Sequence, residues 1–190
     1  MVPIVDEVIE VEVPFQEFLD RPEDSPWSEY AHGRAIVSPT PNGRHGQILA
    51  NLLMLLHPLA PADHITLMAP LDWLLWPEPD GRVRQPDVLI IPRTFLVDGG
   101  NRVMEPPILA IEVISRWSRR RDLVVKPAEY ARAGCVDTWV IDPADPAQLV
   151  VHVFDGRSGE PREVATVTGD DLVAVTTPFP VSFRPSDLVR

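Results

Sequence analysis

Three residues of this chain, Asp87, Glu112 and Lys126, are of the types that hold and use a hard divalent cation. Glu112 stands inside ILAIEVI, part of a nearly continuous apolar run from Ile108 to Ile114 that reads as a central strand covered on both faces. A carboxylate there loses its water, so it needs a cation, a partner or a shifted pKa. An arginine at the strand end would satisfy it as well as a metal would. Asp87 opens the strand of RQPDVLII, and Pro-Asp alone is an ordinary way to start a strand. Its meaning changes if Val88–Ile91 and Ile108–Ile114 are neighbours, because both acids then project at one edge of the sheet. Two carboxylates about 4 Å apart repel by roughly 4 kcal/mol at an effective dielectric of 20. They stay ionised together only around a cation. All-oxygen ligands suit Mg2+ or Mn2+; no Cys/His spacing supports zinc, and no organic cofactor is expected.

Lys126 follows Glu112 by fourteen residues and is the only lysine, the other sixteen basic residues being arginine. A lysine on a helix is most often simply solvated. Here its compact ammonium is a point charge that arginine cannot replace in every role. Asp122 lies one turn before it and Tyr130 one turn after, both within i,i+4 reach. Pro127 disfavours helical geometry at the residue before it. That places Lys126 at the mouth of a helix starting at Pro127, facing the end that favours anions. The segment SRWSRRRD then supplies Arg116, Arg119, Arg120 and Arg121, either a solvated charge cluster or a grip on a phosphodiester backbone. The chemistry these groups suit is phosphoryl hydrolysis. A cation on the two acids lowers the pKa of a bound water, and the ammonium holds that water or neutralises the pentacovalent phosphate.

The elements that must position these side chains are legible from periodicity. A helix is predicted from about His45 to His57, with Ile48, Leu52, Leu53, Leu55 and Leu56 on its apolar face. Strands are expected at Arg34–Val37, Ile65–Met68, Trp73–Trp76, Val88–Ile91 and Ile108–Ile114, with a polar loop from Val97 to Glu105. A second helix is expected from Asp122 to Ala133, closed by Gly134, and then a buried strand at Thr138–Ile141 stopped by DPADP. Leu149–Phe154 and Glu163–Val167 read as added antiparallel strands. The central order of helix, three strands, helix, strand is α/β with mixed pairing.

At 190 residues the chain suits one domain with a single core, residues 31–190, preceded by an acidic arm, residues 1–30, with a short helix near Phe15–Leu19. The net charge of −11 argues against a protein that coats itself in nucleic acid. Its distribution softens that objection, since residues 1–30 hold nine acids and one base whereas Val113–Gly134 holds six bases and two acids. The single cysteine, Cys135, excludes a disulfide framework and fits a cytoplasmic setting. MVPIVDEVIE is acidic where a secretory signal would be basic, and the apolar stretch at Ile48–Leu56 is too short to span a bilayer, so no membrane association is expected.

The ordered set QPDVLII, PPILAIEVIS and RRRDLVVKPAEYARAGCVDTWVIDP resembles the Uma family of restriction-endonuclease-like proteins. The likeness runs from about Gly33 to Pro180 and includes GRAIVSPTPNGRHGQIL and PFPV. It implies a PD-(D/E)XK nuclease fold, with Asp87 as the metal-binding aspartate and Glu112 as the acid of the central strand. The usual lysine position, two residues past the glutamate, holds Ile114. In this family the lysine has moved to the following helix, where Lys126 fits. His45 matches a histidine on the first helix, with packing or capping as its alternative role. The expected activity is that of a Mg2+- or Mn2+-dependent endonuclease acting on DNA. The alternatives are a non-cleaving nucleic-acid-binding or regulatory protein that keeps the fold, and a structural module whose buried acids are merely paired. A homodimer is expected, since the last antiparallel strands should leave an open sheet edge.

Overall fold

The computed structural model describes residues 7–22, 25–26, 28–39, 42–95, 102–145 and 148–190. Two six-stranded sheets carry the fold. The first is built from β1 (Ile9–Glu12), β2 (Ser28–Ala31), β3 (Arg34–Val37), β5 (Asp72–Trp76), β6 (Arg82–Arg84) and β8 (Arg102–Val103) in the order β1-β3-β2-β6-β5-β8. The second contains β4 (His64–Met68), β7 (Val88–Pro92), β9 (Leu109–Val113), β10 (Asp137–Asp145), β11 (Gln148–Asp155) and β12 (Arg162–Thr168) in the order β12-β11-β10-β9-β7-β4. β9 and β10 are parallel, and every other pair in the second sheet is antiparallel. β13 (Val173–Val175) and β14 (Val181–Phe183) form a separate ribbon.

The centre of the second sheet, β7 and β9, is buried on both faces, which explains their nearly continuous apolar runs. On one face Val88, Ile90, Leu109, Ile111 and Val113 meet Ile48, Leu49, Leu52 and Leu56 of the long helix α2 (Gly43–Leu56). The spacing of Ile48, Leu52 and Leu56 lines one side of a 3.6-residue repeat. Asn42 starts this helix by accepting the His45 backbone N–H at 3.0 Å. Each fully buried leucine or isoleucine contributes about 1.5–3 kcal/mol relative to exposure. On the other face Leu89, Ile91 and Ala110 pack with Trp73 and Val103 of the first sheet and with Tyr130. Tyr130 lies on α3 (Lys126–Arg132), its ring 5.0 Å from that of Trp73. Among the described residues no helix is long and apolar enough to cross a membrane.

The division expected at residue 30 falls inside β2, in the middle of the first sheet. The short helix α1 occupies Phe15–Leu19 as anticipated, and Phe15 and Phe18 pack with Tyr30, Leu74 and Val83. β2 turns into β3 through His32 and Gly33, both at positive φ (54° and 79°), which is a two-residue turn whose twist matches a hairpin. Residues 97–101 of the expected polar loop lie outside the described residues, and Arg102–Val103 forms β8. DPADP does not end its strand at once; β10 continues through it to Asp145, with a register shift between Asp142 and Asp145.

Candidate active site

Glu112 and Asp87 come from neighbouring strands. Val88 pairs with Ile111, so Asp87 and Glu112 stand one step beyond the last ladder pair of β7 and β9. Asp87 replaces the ladder with its side chain: Oδ2 accepts the Val113 N–H at 2.7 Å, and Oδ1 lies 3.1 Å from His45 Nε2. Both acids are almost fully buried, at 7 % and 3 % exposure. His45 thus joins the site through α2, at the first turn of that helix.

Glu112 is held from two sides. Lys126 Nζ donates to Oε2 at 2.7 Å and the Tyr130 hydroxyl donates to Oε1 at 2.5 Å. The same ammonium lies 2.9 Å from Glu29 Oε1 and 3.4 Å from Asp122 Oδ1. Glu29, on β2, had no place in the sequence reading, because an acidic residue among eight others in an expected arm carries no distinguishing signal. Arg84 on β6 extends the network, donating to Glu29 Oε2 at 2.9 Å and to both oxygens of Glu129 at 2.7 and 3.0 Å. The SEYA strand before the His32–Gly33 turn was the one available clue that residue 29 belongs to the sheet.

The backbone around Lys126 differs from the expected helix start. Residues Arg121–Val125 form one π-helical turn that runs without a break into α3, and Lys126 itself is helical, with φ −64° and ψ −44°. Its N–H reaches back five residues to Arg121 O. The wider turn accommodates Pro127, which has no N–H to give and would clash in a regular helix. Lys126 therefore projects into the buried cluster from within a continuous helical segment, not from the mouth of a helix that starts at Pro127.

The electrostatics follow from three buried carboxylates, Glu29, Glu112 and Asp122, gathered around one buried ammonium, with buried Asp87 close enough to Glu112 to repel it. Burial pushes the Glu112 carboxyl up, to about 8; Lys126 opposes the rise while Asp122, Asp87 and Glu29 add to it. Burial also raises Asp122 against the pull of Lys126. Glu29 goes the other way: burial disfavours its charge, but Lys126, Arg84 and Arg121 outweigh that and hold it at about 2. Burial alone would lower Lys126, yet Glu112, Glu29 and Asp122 together lift it above its ordinary value. An ammonium so held stays charged at neutral pH and acts as a fixed positive charge, not as a proton acceptor.

The four arginines divide. Arg119 donates to Asp142. Arg116 stacks over Trp117 with its guanidinium 4.8 Å from the ring centroid, and Arg120 is exposed. Arg121 turns inward, 3.5 Å from Ser38 Oγ and 4.0 Å from Glu29 Oε2.

A mixed sheet whose adjacent strands bring an aspartate and a glutamate together beside a lysine defines a nuclease-like α/β protein. A solved structure described as a putative nuclease belonging to DUF820, from Anabaena variabilis ATCC 29413, is similar over 93 % of this chain and 97 % of its own, with a TM-score of 0.70 and 22 % identity. The fold is restriction-endonuclease-like. The Uma2 family model, described as "Putative restriction endonuclease", matches residues 15–188, and the chain belongs to that family. No curated protein matches it.

Proposed function

We propose that this protein is a divalent-metal-dependent endonuclease that hydrolyses phosphodiester bonds, in DNA before RNA. The observation that carries the reading is the 2.7 Å contact of Lys126 Nζ with Glu112 Oε2, next to Asp87. The Glu112 carboxyl is raised first by burial and then by Asp122, Asp87 and Glu29. A hard cation beside Asp87 and Glu112 would offset that carboxylate repulsion, and their oxygen donors suit Mg2+ or Mn2+. Among the described residues no three His, Cys, Asp or Glu side chains form a cage.

Asp87 and Glu112 would hold the ion, which when bound lowers the pKa of a water and withdraws charge from a phosphate oxygen. The chain's own residues do the rest. His45 and the Val113 N–H fix the Asp87 carboxylate in place. Tyr130 fixes Glu112. Lys126 supplies a permanent positive charge for the phosphate as charge accumulates in the transition state. Glu29 and Asp122 keep that ammonium in position. Exposed Arg116 and Arg120 offer backbone contacts, in keeping with a family of restriction-endonuclease type. The protein acts in the cytoplasm as a homodimer, paired through β12, the outer strand of the second sheet.

One observation favours a second reading, a non-cleaving protein that keeps the fold. Glu112 and Lys126 are only 3 % and 4 % exposed, and both Glu112 oxygens already have internal donors. Calorimetric titration with Mg2+ and Mn2+ separates the two. The endonuclease reading expects binding that Asp87→Asn weakens at least tenfold. A parent protein that takes up neither ion would leave the second reading in its place.

A further inference from the structure

The segment after β9 does more than flank the buried cluster, because it walls an open pocket. A cavity of about 350 Å3 lies between the start of α2 and this segment, lined by Arg44, His45, Ser115, Arg116, Trp117 and Arg119 among others. Its His45 wall is the same imidazole that sits 3.1 Å from Asp87 Oδ1, so a single side chain separates the pocket from the proposed metal-binding acid. Its lining carries three guanidinium groups, those of Arg44, Arg116 and Arg119, and one carboxylate, Asp142, which Arg119 engages. Trp117 is 51 % exposed, whereas Trp73, Trp139 and Tyr130 are fully buried. A broad apolar ring left in water, with a guanidinium 4.8 Å from its centroid, has the makeup of a stacking platform for a base.

Size decides what form the ligand takes. At about 350 Å3 the pocket lies at the small end of the range for small-molecule sites, about 300–1,000 Å3, a size that suits one base. A base stacked and paired within a duplex enters such a pocket only after leaving the stack. The geometry points to a nucleobase pocket, in which Trp117, backed by Arg116, stacks an unpaired base and thereby sets the adjoining phosphodiester at Asp87. The preferred substrate is then a nucleic acid with a single-stranded stretch. The inference rests on the nuclease reading and narrows it.

The test measures binding, apart from cleavage. Fluorescence anisotropy of a labelled oligothymidylate and of a blunt hairpin duplex is recorded in EDTA with the full chain, its Trp117→Ala variant and its Trp117→Phe variant. Stacking on one aromatic ring predicts tighter binding of the single strand by the parent and about a tenfold loss in Trp117→Ala. Trp117→Phe should stay within about threefold of the parent, and duplex binding should not change. The inference is overturned if Trp117→Ala binds the single strand like the parent, if both ligands lose equally, or if the parent prefers the duplex. It is also overturned if Trp117→Ala turns a dimer into a monomer in sedimentation, which would make this face a contact between copies. Melting temperature confirms that each variant is folded. A protein that binds as predicted but cuts nothing in Mg2+ or Mn2+ sinks the nuclease reading alone. One that cuts normally with Trp117→Ala binding unchanged sinks the pocket alone.

Discussion

Glu29 Oε1 lies 2.9 Å from Lys126 Nζ, joining the second strand of the chain to the helix that follows the central strand. This contact ties the N-terminal residues to the site and determines how the ammonium is aimed. Its consequence is a pH-dependent stability. The Glu29 carboxyl is held at about 2 against an ordinary 4.5. A depressed carboxyl stabilises the fold above its unfolded pKa, and that contribution is lost as pH falls from about 4.5 through 2. The size of the effect is about 3 kcal/mol. Thermal melts of the parent should therefore drop steeply across this window. Glu29→Gln should melt lower at pH 7 and show a shallower acid slope.

Lys126 separates positioning from metal binding. Lys126→Ala should slow cleavage by two or more orders of magnitude, about 3 kcal/mol of barrier. Calorimetry should find its metal affinity within a few-fold of the parent, because the ammonium is not a ligand. Glu112→Gln should weaken metal binding and cleavage together. Lys126→Arg should not restore the rate, since a planar guanidinium cannot occupy the point where three carboxylates converge. Equal cleavage by Lys126→Ala and the parent at saturating Mg2+ would remove the lysine from the mechanism.

Arg84 is the structural counterpart of Lys126. It is buried and bridges Glu29 and Glu129. Arg84→Met leaves buried Glu29 to Lys126 and Arg121, and partly buried Glu129 to Arg82, a loss of about 3 kcal/mol. In a domain of this size that lowers the melting temperature by roughly 10 °C. A shift under about 2 °C would mean that water or another cation replaces the guanidinium.

The elements around the acids were legible because burial on both faces leaves a plain mark: β7 is an apolar run, β9 is one broken only by Glu112, and α2 repeats its aliphatic residues every four positions. The positions of Asp87 and Glu112 follow from those runs. Glu29 did not, because its importance arises only when β2 pairs with β6 and brings it to Arg84 and Lys126. Those are contacts between distant segments, and the acidic surroundings of residue 29 mask its burial. β6 and β8 span only three and two residues, too short for periodicity to register. The π-turn before Lys126 was likewise hidden. Pro127 signals a break in helical geometry, and the chain absorbs it with one wide turn instead of a new helix start.

The most direct test of the account is plasmid nicking in Mg2+ and in Mn2+, with EDTA as control, by the parent, Asp87→Asn and Lys126→Ala. The account predicts metal-dependent conversion of supercoiled to open circular DNA by the parent, lost in EDTA and reduced at least a hundredfold in both variants. Nicking that persists at the parental rate in Asp87→Asn, or a parent that binds the metal and cuts neither DNA nor RNA, would contradict it.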